Sequence, residues 1–465
     1  MTLVDPLDSR PVHFIGIAGA GMSALAELLA RRGVHITGTD ANPMSAPDLA
    51  AYGILVSPPD ISPMKAARAV VYSSAIPAAH PEMVAARALG LPLVRRAEAL
   101  AEAVQGGTLV GISGTHGKTT TTVMCTEALA AAGRNPTGVV GGRVGQWGGN
   151  LRLGGDVFVV ESDEYDRSFL ALTPDVAVVL NVEADHLDIY RDLDDISRAF
   201  EQFVAPARVI VRCADDSGAM ALDIAGDRET IAYSATSPDA ANSTHAAQAR
   251  LVARDIELTV TGARFIVVFD QAALGVVTLR VPGIHNVRNA LAAIGAGLAL
   301  GCTVPEMVSG LASFGGVERR FQRLGSARGI DVVDDYAHHP TEVSATIAAA
   351  RHMFPGRRLV VLFQPHLYSR TRDLDIDFAS ALSAADALLL CDIYGAREMP
   401  VPSITADLIG ARVRAGVLQW RGARDDAWRA LFDVARDGDV VITMGAGDVT
   451  RTGPELLSAL RANSA

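Results

Sequence analysis

The sequence predicts an α/β protein of three domains in series, and three observations lead there. Short apolar runs alternate with amphipathic helical patterns along the chain, the pattern of parallel strands joined by crossover helices. Two of the predicted strands run straight into glycine-containing turns that open a helix. The 465 residues divide, at about 150 residues per domain, into about three units.

The first domain is expected over residues 1–104. It opens with the strand Val12–Ile15, turns through glycines and enters a helix over Met22–Ala30, with further strands at Val34–Thr37 and Ala69–Tyr72. A Pro- and Ala-rich stretch ends near Gln105-Gly-Gly107, the first boundary. The central domain, residues 105–313, starts with the strand Thr108–Ile112 and a helix from Lys118 to about Ala132, followed by strands at Val157–Val160 and Val176–Leu180. Alternation of apolar and polar residues from about Arg250 to Val281 predicts antiparallel strands, closed by a helix over Val287–Leu300. The third domain, residues 314–465, has apolar strands at Leu359–Phe363, Ala387–Cys391 and Val440–Met444.

Composition narrows the function classes. A net charge of -11 opposes non-specific binding to nucleic acid or anionic lipid, so an anionic substrate needs locally placed cations. Residues Met1 to Pro11 carry Asp5 and Asp8 and lack the basic and apolar regions of a signal peptide, and no apolar run reaches membrane-span length. The four cysteines, Cys125, Cys213, Cys302 and Cys391, have no metal-ligand or disulfide spacing and read as buried thiols of a reducing cytoplasm. Lysine occurs only at Lys65 and Lys118, whereas arginine occurs 39 times. Lysine at Lys118 therefore stands out, because a compact point charge suits a phosphate cradle better than a forked guanidinium.

Four motifs carry chemistry. Gly16-Ile-Ala-Gly-Ala-Gly21 lies between a strand and a helix, with Asp40 after the next strand. It fits either a diphosphate seated at a helix N-terminus or a merely tight turn, since the strict dinucleotide spacing G-x-G-x-x-G is absent. Gly114-Thr-His-Gly-Lys-Thr-Thr120 has the strand-loop-helix context of a phosphate-binding loop, with Lys118 for the terminal phosphates and Thr119 for magnesium. Strict Walker A spacing asks for glycine where Ile112 stands. Two acidic clusters, Glu161-Ser-Asp-Glu-Tyr-Asp166 and Glu183-Ala-Asp-His186, end neighbouring strands and offer hard ligands for Mg²⁺; a solvated acidic loop is the plainer reading of each. Asp334-Asp-Tyr-Ala-His-His-Pro-Thr-Glu342 follows another strand and is joined by Phe363-Gln-Pro-His366 and Arg370. Each histidine alone is more often a hydrogen-bonded structural residue than a catalyst.

Together these motifs, with Ser73-Ser-Ala-Ile76, Pro282-Gly-Ile-His-Asn286 and Arg319-Arg-Phe321, resemble the Mur ligases of peptidoglycan assembly in order along essentially the whole chain. The Asp334–Glu342 tract resembles the alanine-adding members in particular. The resemblance implies a Rossmann-like UDP-binding first domain, a P-loop ATPase-like central domain and a Rossmann-like C-terminal domain that takes the amino acid. It implies that ATP phosphorylates the lactyl carboxylate of UDP-N-acetylmuramate, and that the amine of L-alanine attacks the acyl phosphate, with Mg²⁺ as cofactor. Gly114, Thr115, His116, Gly117, Lys118, Thr119 and Thr120 would hold the ATP phosphates. Asn286 and Asn289 would contact the adenine and Asp335 the ribose. Thr119 and Glu161 would hold one Mg²⁺ and His186 a second. Gly19, Ala20, Gly21, Met22 and Ser23 would seat the UDP diphosphate, with Ser73 and Ser74 nearby. Arg319, Tyr336, His338, His366 and Arg370 would gather the acyl phosphate and the alanine carboxylate. Lys118, Glu161, His186, His338 and Arg370 form the catalytic set on this reading.

Two departures stand out. No lysine follows His186, so the carbamylated lysine of several Mur ligases is excluded. Alanine-adding members often have an arginine where this chain has Leu367; Arg167, next to Ser168, is a candidate to supply that charge, and a surface pairing with Asp166 or Asp163 is the alternative. Three other functions compete: a recycling ligase that attaches a preformed tripeptide to the same sugar nucleotide, an NAD-dependent dehydrogenase using the Gly16 turn and Asp40, and a non-catalytic nucleotide-binding regulator. The expected setting is cytoplasmic, without membrane or nucleic-acid partners, as a monomer or a homodimer.

Overall fold

The structure is a computed structural model and describes residues 3–5, 7–187, 189–236, 246–396 and 398–462. Three sheets organise it. The first is all parallel, in the order Val56–Ser57, Ile36–Thr39, Val12–Ile15, Ala69–Tyr72, Leu93–Arg95. Its central strand Val12–Ile15 is buried at every residue, which is why it reads as a continuous run without alternation.

The middle sheet has ten strands. Its strand Thr108–Ser113 lies between Val157–Glu161 and Val176–Val179, parallel to both. The predicted antiparallel segment forms a meander of Leu251–Thr259, Gly262–Phe269 and Ala272–Leu279 at one end of the sheet. At the other end Thr137–Val144 pairs antiparallel with Gly149–Arg152. Helices Lys118–Ala131 and Ile284–Ala299 share one apolar core with this sheet. The third sheet has six strands, with Val440–Met444 between Ile330–Asp335 and Leu359–Phe363. Among the described residues only Gln322–Ala327 runs antiparallel in it.

The differences from expectation have local causes. Helix Ala20–Arg31 begins before Met22 because Gly19 caps it, while its apolar periodicity starts only at Met22. The second strand begins at Ile36 instead of Val34 because Gly33, at φ +87°, and Val34 close the helix: their N–H groups donate to Ala30 O and Leu29 O. Helix Ile284–Ala299 likewise starts three residues early, capped by Gly283 at φ +95°.

This order sets the site. In parallel sheets the strand C-terminal ends face one crevice. The loop after Ser113 therefore emerges flanked on both sides by the strand exits that carry the two acidic clusters. The first cluster is anchored from behind: Phe169, three residues beyond it, stacks on Phe203 at 4.9 Å and meets Phe200 edge-on at 5.2 Å. Burial of such a ring contributes ~1.5–3 kcal/mol, enough to pin a polar loop.

Candidate active site

The loop Gly114–Thr120 depends on two glycines. Gly114 sits at φ +142°, and a Cβ there would lie 2.9 Å from Leu180 Cβ. Gly117 sits at φ +83°, and its Cβ would lie 2.9 Å from Asn289 Oδ1. Lys118 opens helix Lys118–Ala131 and folds back over the loop. Its ammonium donates to Gly114 O at 2.7 Å, Thr115 O at 3.2 Å and Glu164 Oε2 at 2.8 Å, with Asp163 3.7 Å away. All three of its protons are used. Burial alone would depress its pKa, but Glu164 and Asp163 hold it above the ordinary lysine value, so it stays charged.

Thr119 Oγ1 donates to Glu161 Oε1 at 2.8 Å, and Glu161 Oε2 accepts from Gly141 N at 2.6 Å. A hydroxyl and a carboxylate thus converge at the helix start, a donor set that fits a hard divalent cation. His186, at φ +54°, gathers with Asp163 and Glu164 instead, their ligand atoms within 4.8 Å of one another. Its buried Nδ1 has no hydrogen-bond partner among the described residues, so it too has donor capacity to spare. Glu164 is a site residue without an assigned role in the sequence reading. Burial raises its pKa while Lys118 opposes the rise, and only the fold puts the two together.

Beside the loop lies a cavity of about 790 Å³ between the middle and third sheets. Gly117, Thr120, Asn286 and Asn289 line one side, and Arg320, Asp335 and Glu342 the other. Asn286 is oriented by its Nδ2, which donates to Pro282 O at 2.7 Å. Asp335 accepts from Phe321 N and Ala337 N, both at 2.7 Å, and burial pushes its pKa up to about 6 against the pull of Arg320.

The third domain contributes a row of cationic and imidazole groups. The Arg319 guanidinium stacks on Tyr336 at 4.7 Å; the Tyr336 ring meets His338 at 5.1 Å, and His338 meets His366 at 6.0 Å. Arg370 Nη1 lies 3.5 Å from His366 Nδ1. Four of these five come from the exits of two strands that share one neighbour, and Arg319 joins from the chain just before the sheet. Arg319 is also held by Asp334 at 3.3 Å and Gly445 O at 2.5 Å. Arg370 crosses to the middle domain, where Nη2 meets Asp185 Oδ1 at 2.8 Å and Oδ2 at 3.1 Å. That pair is buried on both sides, and Arg370 holds the Asp185 carboxyl far below its ordinary range against burial.

At the first domain Gly16 has φ +75°, and Gly19 caps the helix. Asp40 is consumed by this turn, accepting from Ala18 N at 3.0 Å and Asn42 N at 2.8 Å. Ser23 Oγ donates back to Ala20 O at 3.0 Å, and Ser73 Oγ accepts from Ala75 N at 3.2 Å. Asn150, from the middle domain, donates to Ala20 O at 3.1 Å and ties that domain to the turn.

Comparison with known proteins matches this architecture domain by domain. Residues 11–108 match the Mur ligase family catalytic domain, residues 112–297 the Mur ligase middle domain and residues 319–447 the Mur ligase glutamate ligase domain. The chain is 46% identical over 465 residues to a UDP-N-acetylmuramate-L-alanine ligase of Arthrobacter sp. (strain FB24), covering 97% of this chain and 96% of that one. The chain belongs to the Mur ligase family. A ligase of the same description from Burkholderia cenocepacia (strain J2315) is 43% identical, over 95% of this chain and 96% of its own. The crystal structure of UDP-N-acetylmuramate-alanine ligase from Thermotoga maritima superposes with a TM-score of 0.81 at 25% identity, over 97% of this chain and 99% of that one. A murein peptide ligase from Psychrobacter arcticus 273-4 gives 0.72 at 25% identity, over 97% and 98%.

In this Mur ligase Arg167 is already engaged, though with neither Asp163 nor Asp166. Its Nη2 meets Asp195 Oδ2 at 2.9 Å, and its guanidinium lies 4.8 Å over the Tyr190 ring. Asp166 pairs with Arg95. Arg167 sits at φ +54°, beside Ser168 in the segment Tyr165–Ala171. Leu367 is buried at φ +71°, capping the short helix Tyr368–Asp373. Sequence reasoning quoted the tracts holding Glu183, Asp185, Arg320, His339 and Glu342, offered the acidic pair Glu183 and Asp185 only as part of a cluster of hard ligands for Mg²⁺, and assigned none of the five an individual role. Their signal was position, each within a few residues of a residue assigned to the site.

Proposed function

We propose that this Mur ligase joins L-alanine to the lactyl carboxylate of UDP-N-acetylmuramate at the expense of ATP, a step of peptidoglycan precursor synthesis. On this reading residues 1–104 seat the UDP moiety, 105–313 the ATP and 314–465 the amino acid. One chain supplies all three, so a monomer or a homodimer serves. No helix among the described residues is long and apolar enough to cross a membrane; the enzyme is read as cytoplasmic because its proposed substrates are nucleotides.

The observation that carries the reading is the phosphate loop flanked by two acidic strand exits and facing the row Arg319, Tyr336, His338, His366 and Arg370. In-line transfer of the γ-phosphoryl group to a carboxylate oxygen needs positioning and charge neutralisation more than covalent help. Lys118 supplies the charge. Its contacts to Gly114 O and Thr115 O fix the ammonium in the loop, and its bond to Glu164 is the one that a phosphate oxygen replaces. Thr119, Glu161 and His186 are the residues that would hold Mg²⁺, which would supply positive charge against the charge developing on the transferring phosphoryl group. Asn286, Asn289 and Asp335 receive the nucleoside in the cavity they line.

The acyl phosphate is then open to the alanine amine: the C–N bond forms, phosphate leaves, and the nitrogen gives up a proton. His338 is suited to accept it. Its Nδ1 faces two acceptors, Tyr336 O at 2.9 Å and Glu342 Oε2 at 3.0 Å, so the proton sits there and the Nε2 lone pair is available. Burial keeps the ring's pKa below the usual histidine value, so it is neutral at pH 7. Arg370, held by Asp185 through Nε and Nη2, is the guanidinium this reading assigns to the alanine carboxylate. Purified enzyme with UDP-N-acetylmuramate and ATP should release phosphate with L-alanine and not with the preformed tripeptide. Release with the tripeptide alone would sink the reading in favour of a recycling ligase.

A further inference from the structure

Three groups that this reaction does not use as a set converge where the middle and C-terminal domains meet. His116 comes from the phosphate loop, Glu183 from the exit of strand Val176–Val179, and His339 caps helix Pro340–Met353 without a side-chain cap bond. Their ligand atoms lie within 4.8 Å of one another. His116 Nε2 is 3.5 Å and His339 Nδ1 3.9 Å from the same oxygen, Glu183 Oε2. Bonds of 2.0–2.2 Å in tetrahedral geometry put ligand atoms ~3.3–3.6 Å apart, so the two distances to Glu183 are close to those of a bound ion and the two imidazoles, within 4.8 Å, need to draw together around it.

Two independent features point to a ligand. His339 is only 5% exposed, yet neither of its ring nitrogens has a hydrogen-bond partner among the described residues. A buried imidazole with both nitrogens idle is costly unless something binds it. His116 is oriented by its other nitrogen, since Nδ1 lies 3.3 Å from Glu342 Oε1, while its buried Nε2 faces Glu183 without a hydrogen bond among the described residues; an ion bound there would displace the Nε2 proton. Glu183 is oriented in turn by Thr341 Oγ1, which donates to Oε2 at 2.6 Å and leaves that oxygen one lone pair. The cluster of Asp163, Glu164 and His186 differs, because the Lys118 ammonium already sits against Glu164 at 2.8 Å.

We infer that His116, Glu183 and His339 form a second, separate metal site, for a borderline-soft divalent ion of the Zn²⁺ class, which ties the phosphate loop to the C-terminal domain. Two imidazoles and one carboxylate select such an ion over Mg²⁺, whose preference is for oxygen. The fourth position opens on the cavity lined by His116 and Glu183. An ion here bridges both domains and restrains their separation, so Zn²⁺ should inhibit turnover.

The test uses the full chain in excess Mg²⁺, titrated with Co²⁺ and then Zn²⁺. One Co²⁺ should bind with the strong visible absorption of tetrahedral cobalt and be displaced by Zn²⁺. His339→Gln should weaken binding by at least ~100-fold, since even outer-shell partners are worth 10–100-fold, and should relieve inhibition by Zn²⁺. His339→Cys should add a thiolate-to-cobalt charge-transfer band, which reads the ligand position directly should the glutamine variant fold poorly. Absence of Co²⁺ binding in excess Mg²⁺, or an unchanged cobalt spectrum in the cysteine variant, overturns the assignment. The ligase reading is untouched by either result.

Discussion

His116 links two domains through charge, and its titration should be visible in the stability of the protein. The ring is 12% exposed and lies between Glu342 at 3.3 Å and Glu183 at 3.5 Å. Burial alone would lower its pKa, but Glu342 and then Glu183 raise it from 6.5 to about 9. At about 1.4 kcal/mol per pH unit, that difference corresponds to ~3 kcal/mol in favour of the folded, charged state. Because the folded pKa is the higher one, the contribution is complete below pH 6.5 and is lost as pH rises through 9. The depressed Glu342 reports the same contact from the other side and is not added. His339, pushed down to about 4 by burial and by His116, matters only in acid: its contribution is present above 6.5 and fades below it. Buried thiols such as Cys213, raised to about 12 by burial, destabilise any variant alike at high pH and cancel in a difference. Urea unfolding of wild type and His116→Gln, followed by tryptophan fluorescence from about pH 7 to pH 10, isolates the histidine. The stability advantage of wild type should shrink by ~3 kcal/mol across that range. An advantage that stays constant with pH would refute the assignment of a charged His116 bridge.

Four further outcomes follow from the geometry. Gly117→Ala forces a Cβ to 2.9 Å from Asn289 Oδ1 at φ +83°, so it should abolish nucleotide binding by calorimetry and cost ~1–3 kcal/mol of stability. Lys118→Arg keeps the charge but not the compact ammonium held by two loop carbonyls; phosphate release should fall at least ~100-fold with circular dichroism unchanged. Asp185→Ala strands the Arg370 guanidinium, 5% exposed, at a cost of ~3–5 kcal/mol unless the domains part to hydrate it. The double variant Asp185→Ala/Arg370→Ala should lose less than the two single losses combined, and strict additivity in denaturation would contradict a direct pair. Arg167→Ala breaks the contacts to Asp195 and Tyr190 and should cost ~1 kcal/mol, with Michaelis constants for UDP-N-acetylmuramate and L-alanine little changed; a marked rise in either constant would restore Arg167 to the substrate site.

Much of the molecule was legible in the sequence alone. The buried strands Ala69–Tyr72, Leu359–Phe363, Ala387–Cys391 and Val440–Met444 coincide with their apolar runs, because strands covered on both faces have no reason to alternate. The loop Gly114–Thr120 was legible for a different reason: its glycines, lysine and threonine lie only a few residues apart, between a strand and a helix. Lys118, as one of two lysines in the chain, needed no partner to be noticed. What the tertiary structure decided is pairing. Glu164 against Lys118 and Asp185 against Arg370 join residues 46 and 185 positions apart, and His116 meets Glu183 and Glu342, 67 and 226 positions on; no local periodicity encodes such distances. Arg167 shows the same limit. Its position beside the acidic cluster made a substrate role conceivable, but whether its charge is free depended on Asp195 arriving from another helix. Sequence alone determined which chemical groups this Mur ligase carries and at which strand ends. Only the fold decided which of them are neutralised by each other and which are left to meet a ligand, because electrostatics and hydrogen bonding act over a few ångströms in space and are indifferent to distance along the chain.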